Sequence, residues 1–161
     1  MRGAMLAATT VALSLSLPLS AAEDELYGTY RLISTTRTVL DTGQIITFDR
    51  ETGFISYGKD GRVMYMAVRG DRPKAETIEK MTDEQRAILH RSMTAYAGTY
   101  KFDGTTMEHH IDISWNEVWT GTTQVRTVKK EGDRLIFTTR PAPNSGDGKM
   151  AITTLVWEKV K

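Results

Sequence analysis

Short runs in which apolar and polar residues alternate at every second position dominate the chain, and that period is the mark of a half-buried β-strand. Residues 28–34 open the series with Tyr30, Leu32 and Ser34 on one side, and the β-branched Thr35, Thr36, Thr38 and Val39 extend it. Asp41-Thr42-Gly43 turns the chain into a second run at 44–48. Residues 53–57 and 62–68 form a hairpin across Gly58-Lys59-Asp60-Gly61, a link suited to a type I turn closed by a glycine bulge. Asp103-Gly104 divides residues 99–102 from 105–114, Glu131-Gly132 divides 122–129 from 134–139, and residues 151–159 supply the last run.

Between these runs the period changes. Thr82-Asp83-Glu84-Gln85 is a capping box, and Leu89, Met93 and Tyr96 or Ala97, flanked by Ile88, stand at helical spacing. Gly98 occupies a C-terminal cap position, so the pattern predicts about four turns of helix packed on the sheet or closing a barrel end. Residues 115–121 read as a bridging loop, and 141–149, rich in Pro, Gly, Asn and Ser, as a mobile linker. There is neither an internal repeat nor a break that divides the chain. The expected fold is all-β: a small antiparallel barrel of about eight to nine strands with one inserted helix, closed because closure removes exposed edges.

Hairpin registers then assign faces. Pairing Phe102 with Thr105, Tyr100 with Met107 and Gly98 with His109 places Tyr100, Phe102, Met107, His109, Ile111 and Ile113 inside, and His110, Glu108 and Asp112 outside. Pairing Val128 with Leu135, Arg126 with Phe137 and Gln124 with Thr139 puts Gln124 and Arg126 in the interior. In the 53–68 hairpin, Phe54, Ser56, Met64, Met66 and Val68 share the face expected to point inward, where the methionines suit either an adaptable cavity wall or ordinary core filling.

The first residues alter the compartment expected for this barrel. Arg2, a small apolar stretch over residues 5–19 and Ser20-Ala21-Ala22 form a Sec-type leader with cleavage expected after Ala22. That leaves residues 23–161 as the barrel domain, periplasmic or secreted, with no membrane anchor after cleavage. The sequence holds 21 Lys+Arg against 20 Asp+Glu, and loss of Arg2 brings them level, so charge gives no case for nucleic-acid binding. No cysteine is present, so the core alone must hold the fold.

Candidate chemistry is sparse. His109-His110 cannot chelate one ion, because neighbours on a strand face opposite ways, and His90 is the only other histidine, so no metal site is expected. No nucleotide or other cofactor motif occurs, nor a Gly-x-Ser-x-Gly elbow. What remains is His109, Gln124 and Arg126 projecting into an apolar barrel. A buried guanidinium needs a partner, and backbone carbonyls, a tyrosine, water, a ligand, or stacking on Trp157 or Tyr30 could each serve. His109 reads either as a hydrogen-bonded core histidine or as a base. Trp115 and Trp119 fall where a barrel rim or simple loop packing would use them.

At these residues the chain resembles the bacterial and fungal lipocalin-like domain family. The resemblance rests on Gly28-Thr29-Tyr30-Arg31-Leu32-Ile33-Ser34, Gly53-Phe54-Ile55-Ser56-Tyr57, Asp60-Gly61-Arg62 and Tyr96-Ala97-Gly98-Thr99-Tyr100. It continues through His109-His110, Gly121-Thr122-Thr123-Gln124-Val125-Arg126 and Leu155-Val156-Trp157-Glu158, over nearly the whole of residues 23–161. Tyr30 departs from the family's usual tryptophan. The resemblance implies a small antiparallel barrel with a central cavity and, since most members are uncharacterised, little about chemistry.

The first functional expectation is a barrel that binds a small hydrophobic or amphipathic molecule bearing a polar or anionic group. Arg126, Gln124 and His109 would orient that group, with Phe54, Met64, Met66, Tyr100, Met107 and Phe137 as the apolar wall. The alternatives are a cofactor-free isomerase, cyclase or hydratase using His109 and Arg126, and a barrel filled by its own side chains.

Overall fold

Alternation becomes strands over most of the chain because each run buries one face and hydrogen-bonds both edges to a neighbour. The computed structural model describes residues 26–144 and 147–161; the expected leader lies outside the described residues. The elements run β1 (Gly28–Val39), β2 (Ile45–Thr47), β3 (Glu51–Tyr57), β4 (Arg62–Arg69), α1 (Asp83–Arg91), β5 (Met93–Phe102) and β6 (Thr106–Ser114). A 3-10 turn at Glu117–Trp119 precedes β7 (Thr123–Glu131), β8 (Arg134–Thr139), β9 (Ala142–Pro143) and β10 (Met150–Lys159). All pairings are antiparallel, and β1 pairs with β10 to close an eight-stranded barrel to which β2 and β9 are added at the edges.

α1 is shorter than its periodicity predicts. The capping box forms as expected, with Thr82 and Gln85 bonding reciprocally, but the helix stops at Arg91 with Ser92 as its cap. Met93 to Ala97 belong to β5, where they pair with Val68 to Met64. The apolar stripe was therefore two elements read as one. Nine helical residues bury no side chain, whereas the same Tyr96 in a strand is 5 % exposed, so sheet burial outweighs helical spacing.

Gly98 is a strand residue, not a helix cap. It sits at a bulge where the β5–β6 register shifts, and a Cβ there would lie 1.8 Å from the His110 carbonyl oxygen. Beyond that bulge the facing of β6 reverses, which turns Ile113 outward at 66 % exposed instead of inward. A second bulge, between Leu32 and Ser34 in β1, has the mirror effect. Tyr30 and Leu32 face in, but so do Thr35, Arg37 and Val39, while Ser34 is only half-buried.

Turn chemistry shifts two hairpins by two residues without changing their faces. Asp103 accepts from the backbone amides of Thr105 and Thr106, which lengthens the turn so that Phe102 faces Met107 and Tyr100 faces His109. The β7–β8 turn centres on Gly132-Asp133, with Gly132 at φ 60°, so Arg126 pairs with Thr139 and Val128 with Phe137. A shift of two preserves parity, and His109, Gln124 and Arg126 stay on the inner face.

The β3–β4 hairpin keeps the expected grouping and inverts its direction. Phe54, Met64 and Met66 point outward at 48, 64 and 56 % exposed, while Ile55, Tyr57, Val63 and Ala67 are buried at 3 % or less. The tyrosines decide the direction: the Tyr57 hydroxyl finds a partner inside in His109 and the Tyr65 ring packs on Trp157, which outweighs the two methionines. The 141–149 segment, read as a linker, contributes β9, whose Ala142 and Pro143 pair with Ala151 and Met150.

Candidate functional site

Side chains divide the barrel interior into a filled half and an open half. At the filled end Tyr30, Tyr57 and Tyr100 pack edge to face, with ring centroids 6.2 Å and 4.9 Å apart. Tyr30 donates its hydroxyl to the Leu26 carbonyl and Tyr100 to the Gly58 carbonyl, which pins the chain at that end of the barrel. Tyr30 thus forms part of a hydrogen-bonded plug. Leu32, Phe102, Met107, Val128 and Leu135 fill the space around these rings.

At mid-height five rings from five strands close on one another. Tyr96 lies 5.0 Å from Tyr65, Tyr65 5.5 Å from Trp157, Trp157 6.4 Å from Phe137, Phe137 6.5 Å from His109, and His109 5.7 Å from Tyr96. Tyr65, Tyr96, Phe137 and Trp157 of this circuit form the floor of a cup, and His109 closes the circuit beneath them. The cavity above it has a volume of about 1050 Å³ and is lined by aromatic rings from the floor and by Trp115 and Trp119 at the rim. The two tryptophans pack edge to face at 4.8 Å. Trp115 donates to the His90 carbonyl, and His90 bonds back to the Trp115 carbonyl, tying the end of α1 to the rim.

Arg126 stands on this floor. It is 8 % exposed, its Cζ lies 5.9 Å from the Tyr96 ring, and its Nη1 is 3.0 Å from Nδ1 of His109. The ring it packs on is Tyr96, not Trp157 or Tyr30. A guanidinium only donates, so Nδ1 of His109 must accept and carries no proton. The Tyr96 hydroxyl approaches the same nitrogen at 2.7 Å. The remaining proton of the neutral ring therefore sits on Nε2, which donates to the Tyr57 hydroxyl at 2.9 Å.

His109 is fully buried, and burial, helped by the charge of Arg126, holds its pKa well below the ordinary imidazole value. Burial also raises Tyr96, although Arg126 opposes the rise by charge and hydrogen bond. Burial and then Tyr96 raise Tyr57. His109 is thus a neutral link between plug and floor, with both nitrogens engaged and its ring outside the cavity lining. Its basic nitrogen serves Arg126 rather than the cavity.

The residues expected at the site separate accordingly. Arg126, Gln124 and Phe137 line the cup. His109 supports it from beneath, Tyr100 and Met107 belong to the plug, and Phe54, Met64 and Met66 lie on the outer face as described above. The structure adds residues the alternation did not reveal: Thr35 and Arg37, brought inside by the β1 bulge, and Tyr65, Tyr96 and Trp157 from the floor.

Charge is segregated in this nearly neutral chain. Among the described residues, Arg37, Arg69, Arg91, Arg126 and Arg140 line the cavity against a single carboxylate, Glu51. Arg37 is held by Asp147 through two hydrogen bonds of 3.1 and 2.8 Å, and Arg91 by Glu84. Among the described residues no ion pair reaches Arg126, and no group of three His, Cys, Asp or Glu side chains could hold a metal. No helix among them is long and apolar enough to cross a membrane.

Comparison with protein families agrees with the architecture. A family model described as a lipocalin-like domain matches residues 27–160. No curated protein matches the chain.

Proposed function

Because the chain belongs to the lipocalin-like domain family, whose barrel suits binding in general, we propose that it holds a small, largely apolar molecule in the cup and that Arg126 binds an anionic group on it. Gln124, on the same strand and lining the same cavity, adds an amide that donates or accepts beside that group. His109 fixes the guanidinium without entering the cavity. The leader expected from the sequence over residues 1–22 supports the further reading that this binding takes place in the periplasm or outside the cell.

One observation carries the reading: a guanidinium 8 % exposed, on an aromatic floor, with no carboxylate partner among the described residues. An uncompensated buried cation is costly, and a carboxylate from a ligand would compensate it with charge-assisted hydrogen bonds. The rings around it offer apolar surface to the rest of the molecule.

Titration calorimetry with decanoate and 1-decanol, which share one chain and differ in charge, tests this. Decanoate is expected to bind roughly tenfold or more tighter, the effect of hydrogen bonds to a charged group. Arg126→Gln should bring the two together. Equal affinities in the unaltered protein would refute the anion reading.

A further inference from the structure

Tyrosines of the plug and the floor spend their hydroxyls on the protein, with one exception. Tyr30 donates to the Leu26 carbonyl and Tyr100 to the Gly58 carbonyl, while Tyr57 and Tyr96 meet the two nitrogens of His109. The Tyr65 hydroxyl has no hydrogen-bond partner among the described residues. Nor is that oxygen enclosed. The enclosed side-chain atoms without a partner are Thr35 Oγ1, Arg37 Nε and Trp157 Nε1, and the half-buried Tyr65 is not among them. Its ring lines the cup, so the hydroxyl opens on the cavity.

The other floor rings offer a ligand no such group. Phe137 has no polar side-chain atom, the Trp157 nitrogen is enclosed, and the Tyr96 hydroxyl is engaged with His109. Tyr65 also stands beside the cation. Its ring centroid is 5.0 Å from that of Tyr96, and Arg126 packs on the same Tyr96 ring with Cζ at 5.9 Å. In that place the phenol keeps its proton. Burial, then Tyr96 and then Glu51 raise its pKa far above the ordinary value, and Arg126 opposes them only in part. Nη1 of Arg126 is turned to His109, so a second donor on the floor lets both oxygens of a carboxylate be held.

We infer that the Tyr65 hydroxyl is a second donor to the ligand's anionic group, so that Arg126 and Tyr65 hold one carboxylate between them. This rests on the reading of Arg126 as the anion site and adds the residue that completes it. A charged and a neutral donor then meet two oxygens, an arrangement that favours a carboxylate over an alcohol.

The test is titration calorimetry with decanoate and 1-decanol on the unaltered protein, Tyr65→Phe, Arg126→Gln and the double variant. Tyr65→Phe keeps the ring contacts with Tyr96 and Trp157 and removes only the oxygen, so the urea midpoint should not move. Decanoate should bind this variant about tenfold more weakly, the effect of losing a hydrogen bond to a charged group, and 1-decanol about twofold or less. In the Arg126→Gln background the same change should weaken decanoate by about threefold or less, because residues that share one partner are coupled. An equal loss for both probes, full additivity with Arg126→Gln, or a fall in the urea midpoint would place the hydroxyl elsewhere and overturn the inference. A decanoate preference that survives Tyr65→Phe in full removes this inference alone and leaves the anion reading standing. Equal binding of decanoate and 1-decanol by the unaltered protein removes the anion reading, and this inference with it.

Discussion

Nη1 of Arg126 lies 3.0 Å from Nδ1 of His109, a cation resting on the lone pair of a neutral, fully buried imidazole. The hold on the guanidinium therefore depends on the imidazole staying unprotonated at Nδ1. A proton on Nδ1 would put two positive charges in contact and remove the acceptor that holds the guanidinium.

Stability should therefore fall in mild acid. The folded-state pKa of His109 lies below its unfolded value, so the unfolded chain binds the proton first as pH drops. Its contribution is complete above about pH 6.5 and is lost as pH falls below that value. Urea unfolding at pH 7.5 and 5.5 should differ by about 1 kcal/mol from this group, at most ~1.4 kcal/mol per pH unit. His109→Gln should show a smaller difference; an unchanged pH dependence would argue against a neutral buried His109.

Removing the cation should separate binding from stability. Arg126→Met keeps an apolar side chain on the Tyr96 ring and relieves an uncompensated charge, and such replacements are often neutral or stabilising. The urea midpoint should stay level or rise, while decanoate affinity falls about tenfold or more. A large loss of stability with affinity retained would make Arg126 a structural residue.

The direction of the β3–β4 faces predicts opposite responses in adjacent residues. Phe54→Ser and Met64→Ser, on the outer face, should change stability by about 0.5 kcal/mol or less and leave ligand affinity intact. Ile55→Ala, 1 % exposed, should cost about 2–4 kcal/mol. Denaturant titration of the three variants decides it.

Gly98→Ala should be among the most damaging of single methyl additions. Its Cβ would fall 1.8 Å from a backbone carbonyl that the β5–β6 ladder holds in place, so the strands must part. A loss of about 3 kcal/mol or more is expected in the unfolding midpoint. A loss under about 1 kcal/mol would show that the bulge yields.

Much of the barrel was legible in the sequence because Asp-Gly and Glu-Gly turns punctuate runs whose alternation has a single period. Even a two-residue error at both turns left His109, Gln124 and Arg126 inside, since faces repeat every two residues. Three features were hidden for physical reasons. Alternation gives two faces but not which is inner, and in β3–β4 Tyr57 and Tyr65 decided against the methionines. Helical spacing in Leu89 and Met93 could not reveal that strand pairing begins at Met93. Finally, no turn residue marks the β1 bulge, so Thr35 and Arg37 were assigned no place in the interior. The candidate site was therefore half visible: Arg126 and its support, but not the wall that faces it.

The extra residue near Ile33 acts as punctuation in a two-letter code of inside and outside. Before it the even-numbered residues Tyr30 and Leu32 point in, and after it the odd-numbered Thr35, Arg37 and Val39 do. A chain that lost Ile33 would regain unbroken alternation and keep every later side chain on its present face. Loss of Thr36 would shift the phase downstream and send Arg37 to solvent. Tolerance to deletion along this one strand is thus set by phase rather than by exposure, and two neighbouring one-residue deletions should yield one barrel with its cup intact and one without it.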